Sequence, residues 1–156
     1  MTRRLQDEIK QTRPFPSLEE EVLVGLARTA DAVQRGFVEV FKSAGLTVTQ
    51  YNVLRILRGA GAPGLSCGDI AERMVTRDPD LTRLLDRLET RRLVSRARDG
   101  EDRRVVTTRI TQAGLSLLEE LAEPLAATQR RMLGHMGEKR LRALADLLDE
   151  ARARPE

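Results

Sequence analysis

The stretch from Asp78 to Ile110 constrains the fold of this chain most. It opens with DPDLTRLLDRLETRR. Asp78 suits a helix N-cap, Pro79 suits the first helical position, and helix formers follow. Leu81, Leu84, Leu85 and Leu88 fall within one arc of that helix and predict a buried stripe, which turns Thr82, Arg83, Asp86, Arg87 and Thr90 outward. Two short β-runs come next, Leu93 to Arg98 and Val105 to Ile110. A polar turn containing Asp99-Gly100 joins them. From Arg73 to Arg109 there are eleven Arg against seven Asp and Glu, whereas the remaining residues carry sixteen basic and seventeen acidic groups. The positive excess is therefore local, and a polyanion would bind at this helix and hairpin.

The preceding residues give the helix its setting. Thr47 and Gln50 have capping-box spacing, and Tyr51, Leu54 and Leu57 share one face of the helix they open. The run GAGAPG, residues 59–64, ends that helix. Ser66 and Asp69 repeat the cap spacing, with Ile70, Ala71 and Met74 as the expected buried side of a short helix ending near Val75 or Thr76. Helices around a tight turn, followed by a capped helix and a basic hairpin, predict a helix-turn-helix with a wing.

Longer helices flank this unit. Residues 1–16 are polar and proline-punctuated, without an apolar period, and read as an arm. Ser17 and Glu20 form a capping box. From there Leu18, Val22, Leu26, Ala30, Val33, Phe37, Phe41 and Ala44 recur at helical spacing, up to a stop at Gly45. After the hairpin, Thr111 can cap a helix carrying Leu115, Leu118, Leu121, Ala122, Leu125, Met132 and Met136. Pro124 interrupts its pattern and predicts a kink or a locally lost hydrogen bond. GHMG marks a turn, and Leu141, Leu144, Leu147, Leu148 and Ala151 line a last helix. The expected class is mainly α with a small β-hairpin (α+β). Residues 47–110 form the winged helix-turn-helix, and 17–46 with 111–156 form the dimerisation helices. Their apolar stripes are broad for so small a reading unit, which predicts a symmetric homodimer with two reading heads.

Composition narrows the function classes. The 156 residues fit one ordinary domain, with one third of them charged. The longest uncharged runs, such as 44–54, fall short of the roughly 18 apolar residues of a membrane helix. The first seventeen residues lack the apolar core of a secretory signal. One cysteine rules out an internal disulfide framework, so a cytoplasmic location is expected. No glycine-rich phosphate loop or His-containing dyad is present, and His135 has no companion at metal-ligand spacing. Neither an enzyme nor a cofactor is expected. Cys67, in the first turn of a helix, reads as a small packing residue.

The collinear order of short motifs then becomes specific. T-x-x-Q-Y-N-V-L-R-I-L, L-S-C-G-D-I-A-E-R-M, D-L-T-R-L-L-D-R-L-E, L-V-S-R, D-R-R and I-T-Q-A-G follow one another from Thr47 to Gly114, within a match that extends from about Leu18 to the C-terminus. In that order they resemble the multiple antibiotic resistance regulator (MarR) family. The resemblance implies a dimeric winged-helix transcription factor, usually a repressor whose affinity for a pseudo-palindromic double-stranded DNA operator falls when a small molecule binds. It implies that Thr82 and Arg83 are the recognition-helix pair, with Pro79, Asp80 and Arg87 beside them. Asp102, Arg103 and Arg104 match the wing signature, with Arg98 at its base. Ser66, Arg73 and Arg77 are candidates for the DNA backbone, and Phe37, Phe41 and Tyr51 for an effector pocket between reading head and dimerisation helices.

Simpler readings stand beside these. Arg83 could pair with Asp86 on a merely solvated helix face, worth a few tenths of a kcal/mol. A charged hairpin tip can simply resist edge aggregation. Two departures from the family pattern concern the same region. Arg92 stands where many members have glycine, at a cost of about 1 kcal/mol if the backbone there is left-handed. Asp78 and Asp80 place negative charge at the helix end that DNA approaches. Both departures lend some support to a protein–protein adaptor or anti-repressor that no longer reads DNA.

Overall fold

The computed structural model describes residues 5–98 and 105–153. Two compact units divide the chain, one up to Gly36 and one from Phe37 onward. The first contains α1 (Leu5–Ile9), a short helix within the expected arm, and most of the long helix α2 (Leu18–Ser43). Ser17 accepts the Glu20 N–H at 3.2 Å, as its cap spacing predicts. Leu18, Val22, Leu23 and Leu26 are exposed, Leu18 by 71%.

The second unit holds the buried core. Its elements are the end of α2, α3 (Val48–Ala60), β1 (Leu65–Ser66), α4 (Cys67–Arg73), α5 (Leu81–Thr90), β2 (Val94–Ala97), β3 (Thr107–Ile110), α6 (Gln112–Leu133), a 3-10 turn (Gly134–Met136) and α7 (Gly137–Arg152). Val53, Leu54 and Leu57 of α3, Ile70 of α4, all four leucines of α5, and Leu118, Leu121 and Leu125 of α6 meet in one cluster. The mainly α fold with a small sheet is as expected, with one strand more than the hairpin. The sheet is antiparallel in the order β1-β3-β2, with Leu65 opposite Thr108 and Val94 opposite Ile110. Two residues are too few for a period-2 signal, so β1 left no mark in the sequence pattern. Gly64 permits its approach: at φ +72°, a Cβ there would lie 2.6 Å from the Thr108 carbonyl oxygen.

Several boundaries differ from expectation. Helix α5 begins at Leu81, not at Pro79, because Asp80 at φ −118° and ψ 38° is outside helical geometry. Asp78 does not cap the helix. Its Oδ1 accepts the Asp80 N–H at 2.9 Å and closes the turn before it. Helix α4 stops at Arg73, where Met74 turns extended and the Val75 N–H donates to Asn52 Oδ1 at 3.0 Å. Ala71 is exposed, and so is Cys67, which packs against no core. The strands are shorter than the β-runs, with Val105 and Val106 outside β3 and partly exposed. Pro124 lies on the exposed side of a continuous α6, where it removes the backbone hydrogen bond to the Glu120 carbonyl. Arg92 is left-handed at φ +58°, the conformation glycine favours.

Candidate nucleic-acid interface

The helix α5 is two-faced. Leu81, Leu84, Leu85 and Leu88 are buried, whereas Thr82, Arg83, Asp86, Arg87 and Thr90 are exposed. The opposition follows from the helical period, which sends every third or fourth residue inward. Arg83 is 76% exposed and lies 3.5 Å from Asp80, its partner one turn back. The alternative Arg83–Asp86 pair does not form. Asp86 instead accepts from Arg96 Nη2 at 2.5 Å. Among the described residues no carboxylate pairs with Arg87.

The start of α3 stands next to this face. Its capping box is complete: Gln50 N–H donates to Thr47 Oγ1 at 3.1 Å, and Thr47 N–H to Gln50 Oε1 at 3.0 Å. Thr47, Thr49, Asp78, Asp80, Arg83 and Arg87 line a cleft of about 220 Å³. A second cleft, of about 480 Å³, is lined by Ala71, Glu72, Arg77, Asp78 and Pro79. The Asp78 turn borders both. It therefore shapes the entrance to α5, a role that spacing alone did not suggest.

The other candidates fall in four groups. Arg73, Arg77, Pro79 and Arg98 are exposed. Ser66 is engaged in a cap: its Oγ accepts the Asp69 N–H at 3.1 Å and donates to Asp69 Oδ2 at 2.6 Å. That hydroxyl, then the Ser66 N–H, holds the Asp69 carboxyl below its ordinary pKa. Asp102, Arg103 and Arg104 lie outside the described residues. Phe37, Phe41 and Tyr51 come together, with ring centroids 6.0 Å apart for the first pair and 4.9 Å for the second. Phe41 belongs to the core, and the Arg55 guanidinium lies 5.9 Å from the Tyr51 ring centre.

Two arginines have roles that local spacing could not reveal. Arg91, just past α5, donates from Nη1 to the Gly45 carbonyl at 2.5 Å and from Nη2 to that of Ala44 at 3.0 Å. It thereby satisfies backbone acceptors beyond the last turn of α2. Arg96 reaches from β2 back to Glu89 and Asp86. Their partners lie 46, 47, 7 and 10 residues away in sequence and on different elements, so no single helix period relates them. Among the described residues there is no cluster of three metal-ligating side chains, and no helix is long and apolar enough to cross a membrane.

A helix-turn-helix whose third helix turns cations outward, backed by a small antiparallel sheet, defines a winged-helix regulator. Comparison with known proteins narrows the class. A model of the MarR family matches residues 44–105. A MarR transcription factor from Planctomyces limnophilus, solved as a crystal structure, is 42% identical. The match covers 87% of this chain and 98% of that one, with a TM-score of 0.67. The HTH-type transcriptional regulator FarR of Neisseria gonorrhoeae is 29% identical over 88% of this chain and 92% of its own. The crystal structure of NadR in complex with 4-hydroxyphenylacetate is also 29% identical, with a TM-score of 0.71 over 89% of this chain and 97% of that one. The chain belongs to the MarR family and is a transcriptional regulator.

Proposed function

We propose that the protein is a homodimeric repressor that reads a pseudo-palindromic DNA operator and releases it when a small molecule binds. The observation carrying this reading is the division of α5: four leucines anchor it in the core while Thr82, Arg83 and Arg87 stand exposed on its first two turns. A helix held so firmly can enter a major groove without deforming, and its arginines can donate to guanine edges or phosphates. The wing would follow the adjacent groove with Arg98 and the tip residues Asp102, Arg103 and Arg104. Exposed Arg73 and Arg77 are the candidates for phosphates, and Ser66 less so because its hydroxyl already serves the cap.

Dimerisation rests on uncovered apolar surface. Helix α2 exposes Leu18, Val22, Leu23 and Leu26, and α7 contains no buried residue, with Leu147 62% exposed. Stripes of this kind favour association. In this reading residues 17–46 and 111–156 dimerise, 47–110 read DNA, and 1–16 form an arm. Two reading helices about 34 Å apart, or a multiple of it, would match successive turns of one DNA face. NadR, a relative bound to 4-hydroxyphenylacetate, supports a small-molecule effector here. The Phe37, Phe41 and Tyr51 cluster is the candidate place to sense it. An effector that favours a head spacing mismatched to the operator must weaken binding.

The test uses a duplex that the wild-type protein enriches from a randomised DNA pool. Arg83→Ala, Arg87→Ala and Arg104→Ala should each weaken binding by about 1–3 kcal/mol while thermal unfolding stays unchanged. Binding should fall steeply with added salt. Unchanged affinity in all three variants would sink the assignment, and the absence of salt-dependent duplex binding would point to an adaptor.

A further inference from the structure

We propose that Arg96, on the wing strand β2, is the positioning residue that makes α5 compatible with a polyanion, by engaging Asp86 and Glu89 and so sparing Arg83, already paired with Asp80, a second carboxylate partner. The inference rests on the reading of α5 as the DNA-facing helix. Taken alone, α5 is a poor surface for DNA. Its Arg83 and Arg87 are matched by Asp86 and Glu89, and Asp80 stands at its N-terminus. Asp86 is also three residues beyond Arg83, the spacing at which helix side chains pair. Unopposed, it would draw Arg83 away from the groove and leave two carboxylates to repel phosphates.

Arg96 alters that balance with three donor groups. Its backbone N–H donates to Glu89 Oε1 at 3.1 Å, and its Nε to Glu89 Oε2 at 2.8 Å. Its Nη2 donates both to Glu89 Oε2 at 2.6 Å and to Asp86 Oδ1 at 2.5 Å. The cluster then carries one net negative charge instead of two, and the engaged carboxylate oxygens point toward the strand. The Arg96 side chain is only 24% exposed, whereas Asp86 and Glu89 are 53% and 39% exposed. Such shielding strengthens charge-assisted hydrogen bonds relative to an open surface pair. The guanidinium is accordingly held above its ordinary range, chiefly by the Glu89 hydrogen bond and against the effect of burial. Because Arg96 belongs to β2, the same contacts tie the base of the wing to the reading helix.

Four forms of the full-length protein separate this role from plain packing: wild type, Arg96→Gln, Asp86→Asn with Glu89→Gln, and the triple variant. Affinity for the duplex enriched by the wild type, and for a mixed-sequence duplex, is measured across a salt series, with thermal unfolding alongside. Arg96→Gln should bind about tenfold more weakly, with a log–log salt slope shallower by roughly 1. The carboxylate double variant should bind more tightly than wild type with a steeper slope, since it frees Arg96. The triple variant should recover most of the affinity lost in Arg96→Gln. If Arg96→Gln binds like wild type, the inference falls while the DNA reading stands. If the triple variant stays as weak as Arg96→Gln, Arg96 acts only through packing, and the inference falls as well. Should Arg96→Gln fail to fold, the double variant decides, and weaker binding by it overturns the proposal. A wild-type protein that enriches no duplex removes the DNA reading and this inference together.

Discussion

Arg92 occupies a left-handed backbone position, φ +58°, between the end of α5 and the first wing strand. Three hydrogen bonds hold the local turn. The Arg92 N–H donates to the Glu89 carbonyl at 2.8 Å, Thr111 Oγ1 donates to the Arg92 carbonyl at 2.7 Å, and the Leu93 N–H donates to the Leu88 carbonyl at 3.0 Å. The strain of about 1–2 kcal/mol that a Cβ suffers there is thus offset by neighbouring bonds. Arg92→Gly should relieve it, less the roughly 0.4–1 kcal/mol that glycine adds to the entropy of the unfolded chain. The net expectation is a gain of about 0.5–1 kcal/mol in chemical denaturation. A loss of stability would show that the arginine side chain contributes more than its backbone costs. This position was legible because the resemblance places glycine there, the residue that a left-handed backbone favours. The partners of Arg91 and Arg96 were not, since each joins elements that meet only after folding.

At the scale of elements, packing of α6 against the hairpin depends on one missing side chain. A Cβ on Gly114 would lie 2.4 Å from the Leu93 carbonyl oxygen and 2.7 Å from Ile110 Cγ1. Thr111 fixes the same junction: its N–H donates to the Leu93 carbonyl at 3.0 Å, and its Oγ1 accepts the Gly114 N–H at 3.2 Å. Gly114→Ala should therefore lower stability by about 1–3 kcal/mol, although alanine is the better helix former. A thermal melt unshifted or raised by that change would contradict the close approach. The helices themselves were readable because an apolar period recurs from α2 to α7, with capping boxes opening α3 and α4. Ends were less readable where rules compete. Asp78-Pro79-Asp80 offers two capping residues around a proline, and the structure uses the first to close a turn and leaves the second at the helix boundary without a side-chain cap. Likewise, Asn52 accepts the Val75 N–H beyond α4, a long-range contact that no local spacing announces. The exposed arginines of α5 were foreseen because the leucine stripe determines which way they face. The Asp78 turn between two clefts was not, because it depends on where α4 stops.

At the scale of the whole molecule, α2 and α7 expose the apolar side chains Leu18, Val22, Leu23, Leu26 and Leu147. In the proposed dimer they are covered by a second copy, and each fully buried leucine adds about 1.5–3 kcal/mol relative to exposure. Leu23→Asp and Leu147→Asp should each shift sedimentation toward monomer at micromolar concentration, with helical content retained. Persistence of a wild-type dimer in both variants would place the interface elsewhere. Loss of the dimer should also weaken operator binding more than loss of any one arginine, because it uncouples two reading heads from one another.

The grip of Arg91 on the carbonyls of Ala44 and Gly45 has a mechanical meaning. It rivets the trailing end of α5 to the terminus of α2 with two charge-assisted hydrogen bonds. A rotation of the final α2 turn must carry α5 with it or break the rivet. In the proposed complex, by thermodynamic reciprocity, DNA that fixes α5 would in turn restrain α2. The joint is short, made by one side chain on two backbone oxygens, and it couples the two helix ends directly.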